Sequence, residues 1–199
     1  MKVLVIVDMQ YDFVDGVLGT PEAQAIVPLM AETMTQLADE NTLILFTKDT
    51  HTEDYMNTLE GKNLPVPHCI KGTHGWTLID ELCAPYAELF GKTKRLEDYI
   101  HPTVIEDFYE GAYTVIEKPT FGSTNLQNIL YAVDDVEPIE EVTFMGVCTG
   151  ICVLSNAILA KATLPEVPVN VIEDCCACVT PESHKTAIEA MKLCQINII

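Results

Sequence analysis

Positive charge is scarce in this sequence. Across 199 residues, 11 Lys and Arg stand against 30 Asp and Glu, a formal net charge of −19. Such a chain repels phosphate backbones and anionic lipid headgroups, which excludes nucleic acids and membrane surfaces as partners. Long apolar runs are also missing. Val3-Leu4-Val5-Ile6-Val7 is cut at Asp8, too short for a signal peptide or a membrane span, and no later segment approaches ~18 unbroken apolar residues. No internal repeat and no linker interrupts the chain, so residues 1–199 read as one domain able to close a full core. A soluble, cytoplasmic protein is expected.

A disulfide framework is excluded too. The eight cysteines include Cys148, Cys152, Cys175, Cys176, Cys178 and Cys194, inside or beside apolar segments, as reduced and buried thiols would be. The Cys175-Cys176-Ala177-Cys178 cluster lacks the second spaced pair of a structural zinc site, and a redox or metal-storage role is set aside for want of a C-x-x-C pair.

What is present is alternation. Continuous apolar runs predict strands at Val3–Val7, Thr42–Thr47, Tyr113–Glu117, Glu141–Val147 and Val169–Glu173, with a terminal strand at Gln195–Ile199. Helical periodicity or a first-turn proline predicts helices at Pro21–Leu37, Leu126–Val133, Ile151–Ala162 and Pro181–Leu193. Shorter helices are expected at Leu78–Cys83 and Pro102–Phe108, after an irregular stretch from Thr50 to about Gly75. The pattern defines an α/β fold, doubly wound around a mainly parallel sheet of about six strands with helices on both faces.

Ligands of such sheets bind beyond the carboxyl ends of the strands. The first strand runs into Asp8, the second into Asp49-Thr50-His51, the third into Lys118, and the fourth into Cys148 and Cys152. Singly, Asp8 reads equally as a turn cap, Lys118 as a solvated strand end and Cys152 as a small core residue. Convergence on one rim points to nucleophilic attack on a carbonyl. Cys152, near a helix start, would gain from the helix dipole and from the Lys118 charge, and Asp8 could carry the thiol proton. Backbone N–H groups between Gly146 and Cys152 could form an oxyanion hole. Asp49, His51 and the later His68 have the makings of a mononuclear metal site, with Glu60, and after it Asn57 or His74, as a further ligand or an orienting partner.

These segments together resemble the isochorismatase-like cysteine hydrolases. The resemblance rests on Val5-Ile6-Val7-Asp8-Met9-Gln10-Tyr11-Asp12-Phe13, Asp49-Thr50-His51, Pro67-His68-Cys69, Lys71-Gly72-Thr73, Lys118-Pro119, Gly146 to Val153, Glu173-Asp174 to Cys178 and Pro181-Glu182-Ser183-His184. It spans nearly the whole chain and implies a Rossmann-like three-layer fold. It also implies an Asp8, Lys118, Cys152 triad working through an acyl-enzyme, and a cis peptide between Val147 and Cys148 that aims the oxyanion-hole amides of Cys148 and Cys152. The Asp-x-His plus later His set resembles the nicotinamidase, or pyrazinamidase, branch. That branch implies one zinc, iron or manganese ion on Asp49, His51 and His68, no organic cofactor, Phe13 against the substrate ring, and a homo-oligomer.

Two positions depart from the pattern. Gly150 stands where members often have Asp, and Pro65 where nicotinamidases often have Trp; Trp76 could replace that aromatic wall or belong to the core. Another small amide or carbamoyl compound is therefore the alternative substrate, and a catalytically silent binding module the alternative class.

Overall fold

The computed structural model describes residues 1–89, 91–100, 109–110 and 113–199. The helix expected at Pro102–Phe108 falls outside them. In chain order the strands are β1 (Lys2–Val7), β2 (Thr42–Asp49), β3 (Tyr109–Glu110), β4 (Tyr113–Lys118), β5 (Glu141–Val147), β6 (Val169–Ala177) and β7 (Asn197–Ile198). They form one seven-stranded sheet in the order β3-β4-β2-β1-β5-β6-β7. Only the short edge strand β3 runs antiparallel, against β4; the other pairings are parallel.

The longer helices are α1 (Pro21–Leu37), α2 (Asp80–Leu89), α3 (Thr124–Val136), α4 (Leu154–Thr163) and α5 (Pro181–Leu193). Helices α1 and α2 pack on each other, while α4 contacts both α3 and α5. Right-handed crossovers in opposite directions from β1 put these two groups on opposite faces of the sheet. That is the doubly wound arrangement, with its direction switch between β1 and β5. Strands buried on both faces explain the unbroken apolar runs: every residue of β2 is buried, as is all of β1 after Lys2.

Helix α1 begins and ends where periodicity places it, because Thr20 caps it by accepting a hydrogen bond from the Ala23 amide at 3.0 Å and Pro21 fits its first turn. The end of β6 differs from expectation. Glu173-Asp174 reads as a strand terminus, yet β6 continues to Ala177. Its register against β5 shifts between Phe144 and Gly146, so the acidic pair sits in an irregularity and the strand resumes beyond it. Among the described residues, no helix is long and apolar enough to cross a membrane.

Gly146, near the end of β5, has φ +130°, and a Cβ there would lie 2.2 Å from the Val7 carbonyl oxygen. Gly72 has φ +86° but open space around it. Gly146→Ala is therefore expected to destabilise by about 3 kcal/mol or more, against about 1 kcal/mol for Gly72→Ala, as measured by urea denaturation. Equal losses would show that the close approach of β5 to β1 is not rigid.

Candidate active site

The strand ends at the switch deliver the expected residues to one place. Asp8 leaves β1 with φ +50°, its amide bonded to the Thr47 carbonyl and its Oδ1 accepting from the Thr47 hydroxyl at 2.6 Å. Lys118 ends β4, and its Nζ lies 2.6 Å from Asp8 Oδ2, 3.3 Å from Asp49 Oδ1 and 3.5 Å from Cys152 Sγ. All four side chains are buried. The Val147–Cys148 peptide is cis. Cys152 lies in a π-helical turn, Thr149–Val153, directly before α4 rather than in the first turn of a regular helix.

Burial pushes the Cys152 thiol well up, and the Lys118 charge only partly opposes it; Asp8 and Asp49 push it further. Burial raises the Asp8 carboxyl as well, although Lys118 pulls it down. Lys118 itself is held charged: burial works against the ammonium, but Asp8, Cys152 and Asp49 together outweigh it. Lys118 thus sets one cation beside both the Asp8 carboxyl and the Cys152 sulfur.

On the other side of Lys118 is a second group. His51 Nε2 lies 3.0 Å and His68 Nε2 3.4 Å from Asp49 Oδ2, and the two nitrogens lie 3.7 and 3.9 Å from Glu60 Oε1. One ligand atom from each of Asp49, His51, Glu60 and His68 fits within 4.8 Å of the others, and among the described residues no other such group is found. The chemistry fits a divalent ion: two carboxylates, and two imidazoles facing inward. The Val66 carbonyl takes His68 Nδ1 at 2.8 Å and turns Nε2 to the group. Burial would raise Asp49, but hydrogen bonds with His51 and His68 and the Lys118 charge hold its carboxyl below the usual range. Glu60 enters from the one-turn helix Leu59–Asn63, capped by Thr58. Asn57 bonds to Asp54 and His74 stacks on Tyr11 at 4.0 Å, so neither joins the group.

Two positioning side chains escaped the sequence reading of function. Gln10 clamps the Asp49 backbone, accepting from its amide at 2.7 Å and donating to its carbonyl at 2.8 Å, and also donates to the Trp76 carbonyl. Thr47 holds Asp8 as described. The signal for Gln10 was a polar side chain three residues beyond an apolar strand; the structure shows it fully buried.

A cavity of about 180 Å³ joins the two groups, lined by Phe13, Leu64, Phe121, Ile151 and Val179 among others, with Asp49, Glu60, His68, Cys148 and Cys152 in its wall. Phe13 faces it, its ring 5.5 Å from that of His68. Trp76 does not line it. The indole lies under Lys48 Nζ, 3.1 Å from the ring centroid, and donates to the Thr50 hydroxyl.

The cysteine cluster divides. Cys175 and Cys178 do stand at C-x-x-C spacing, which the dismissal of a redox role overlooks. They diverge in the fold: Cys175 Sγ meets Thr33 Oγ1 at 3.5 Å, while Cys178 lines the cavity. A hydrogen bond from Cys148 lowers the Cys178 thiol to about 5 despite burial, helped by Ser183 and the amides of Gly150 and Val179.

With this geometry in hand, comparison with known proteins is direct. The isochorismatase-domain family profile matches residues 2–99 and 100–199, and the chain belongs to that family. It is 25% identical to the nicotinamidase/pyrazinamidase of Mycobacterium tuberculosis over 203 residues, covering 100% of this chain and 98% of the relative. The crystal structure of a pyrazinamidase/nicotinamidase from Streptococcus mutans superposes with a TM-score of 0.76 at 27% identity, covering 100% of both chains. A zinc complex of the Pyrococcus horikoshii pyrazinamidase gives 0.71 at 23%, covering 100% of this chain and 98% of that one.

Two of the three cavity thiols separate by pH. Cys178, at about 5, is ionised from pH 6 to 9, so its alkylation by iodoacetamide stays flat. Cys152 lies above its ordinary value, so its rate climbs with pH over the same range. Lys118→Met removes the charge that lowers it, and costs about tenfold in rate for each unit that the thiol rises. Peptide-level mass spectrometry checks both; a Cys152 rate unchanged in Lys118→Met would remove lysine as the activator.

Proposed function

We propose that this protein is a metal-containing cysteine amidohydrolase that converts nicotinamide and water to nicotinate and ammonia. One observation carries the reading: Cys152 and Asp49 stand in the wall of a small apolar cavity, and a single buried ammonium, that of Lys118, touches the thiol of one and the carboxylate of the other, joining a nucleophilic centre to a metal-type donor group. The M. tuberculosis and S. mutans proteins, which bear nicotinamidase and pyrazinamidase names, support the substrate class.

The chemistry follows from the contacts. An amide in the cavity presents its carbonyl carbon to Cys152 Sγ. As the C–S bond forms, the thiol proton passes to Asp8, and the amides of Cys148 and Cys152 hold the oxyanion. Collapse breaks the C–N bond, Asp8 returns the proton to the departing ammonia, and a thioester remains. Water then attacks the thioester, giving a proton to Asp8. Breaking the C–S bond frees the acid, and that proton restores the thiol. Lys118 stays charged throughout and limits the cost of ionising Cys152 beside Asp8. Asp49, His51, His68 and Glu60 would hold one zinc, iron or manganese ion, which supplies a Lewis-acidic position suited to a ring nitrogen. Phe13 gives that ring an apolar face.

A second substrate class, another small amide or carbamoyl compound, is favoured by one specific observation: no tryptophan lines the cavity, because Trp76 is engaged by Lys48 and Thr50. We also assign the protein to the reducing cytoplasm, a reading supported by its eight free cysteines.

Ammonia release decides between the substrates. Metal-loaded protein is expected to hydrolyse nicotinamide far faster than benzamide, which lacks the ring nitrogen. Cys152→Ala should lose at least about 10³-fold. His51→Ala should lose bound metal by elemental analysis together with turnover, while Cys152 still alkylates. Benzamide cleaved as fast as nicotinamide, or full activity in metal-free protein, would overturn the nicotinamide reading in favour of the general amidase.

A further inference from the structure

Asn156 is a fully buried amide in the first turn of α4, four residues after Cys152. Burying such a side chain is costly unless its polar atoms are matched. Here both ends are used. Oδ1 accepts from the Ser123 amide at 2.9 Å, and Nδ2 donates to the Cys152 carbonyl at 2.8 Å and to the Phe121 carbonyl at 3.2 Å.

The partners belong to two different parts of the site. Cys152 lies in the π-helical turn, whereas Phe121 and Ser123 lie in the loop that starts immediately after Lys118. Ser123 in turn caps α3 by accepting from the Leu126 amide at 3.1 Å. The Phe121 side chain is 44% exposed, yet it lines both the 180 Å³ cavity and an adjoining cavity of about 500 Å³ whose wall includes His51 and Glu60. An aromatic partition this open depends on its backbone for placement. The amide of Asn156 ties that backbone to the nucleophile through one rigid group.

We infer that Asn156 is a positioning residue: it fixes the Phe121 wall against the Cys152 turn, and so selects flat, ring-bearing substrates over acyclic ones. As a statement about amide substrates this rests on the amidohydrolase reading. The selection itself can be read on the thiol, without turnover.

The test compares alkylation of Cys152 by iodoacetamide and by its N-phenyl derivative, quantified on the Cys152 peptide. The parent is expected to favour the phenyl reagent. Asn156→Ala should lower the phenyl-to-small rate ratio about fivefold while leaving the iodoacetamide rate within about twofold; Phe121→Ala should lower the ratio similarly, and the double variant no further. Asn156→Asp guards against misfolding. It is isosteric and keeps the acceptor for Ser123 but loses both donors, so it should lose the same preference. A changed thiol pKa would slow both reagents alike and cancel in the ratio. In turnover, Asn156→Ala should raise KM for nicotinamide more than it lowers kcat. Additive losses in the double variant, or a parent-like ratio in Asn156→Asp, would overturn the proposal. A coupled loss of ratio in protein that never hydrolyses nicotinamide would support Asn156 in this role and count against the amidohydrolase reading.

Discussion

The Lys118 ammonium is the charge around which this site is built. It is buried, and within hydrogen-bonding or ion-pair reach it meets Asp8, Asp49 and the Cys152 sulfur. Without that cation, two carboxylates would face each other out of water; removing one partner of a buried ion pair typically costs about 3–5 kcal/mol. The same charge links what would otherwise be two sites. Anything that changes charge on Asp49 is felt at Lys118, and through Lys118 at Asp8 and Cys152. The coupling is electrostatic and short, and the parallel sheet makes it possible by ending β1, β2 and β4 side by side.

Backbone stitching holds the remaining parts to that centre. Gln10 grips Asp49 from the β1 side. The loop carrying His68 is anchored where the His51 amide bonds to the Cys69 carbonyl and the Lys71 amide to the His51 carbonyl, and Asp12 accepts from the Cys69 amide at 2.7 Å. Tyr55 packs its ring 4.7 Å from that of His51 and 5.0 Å from that of His68. A stretch that sequence shows only as irregular is therefore pinned at several points, each of which fixes a donor.

Much of this was legible in the sequence, because strand ends in a parallel sheet are readable from where apolar runs stop. Asp8, Asp49, Lys118 and the Cys148–Cys152 segment follow directly from that rule. Less legible were features set by pairing rather than pattern. The irregularity that lets β6 pass Glu173-Asp174 depends on register with β5, and it decides that Cys175 and Cys178 end up apart. The π-helical turn at Cys152 has no hydrophobic period of its own. Glu60 rather than Asn57 or His74 completes the donor group because of how one short turn folds back. Asn156 left no distinctive trace, because its helix also carries Ser155, Lys161 and Thr163, and its partners in the loop after Lys118 are invisible without the fold.

The acidity of the chain bears on how a reaction cycle would end. With a net charge of −19, the protein's surrounding field is negative, although beside the cavity itself Lys118 offsets the charge of Asp8 and Asp49. A neutral amide crosses that field without penalty. The carboxylate formed from it does not: once clear of the Lys118 charge it is repelled by that surface, and each further step into water lowers its energy. The surface that shuts out phosphate backbones would thus also act as a one-way electrostatic slope, clearing the acid from the site and making it a weak competitor of the next uncharged molecule.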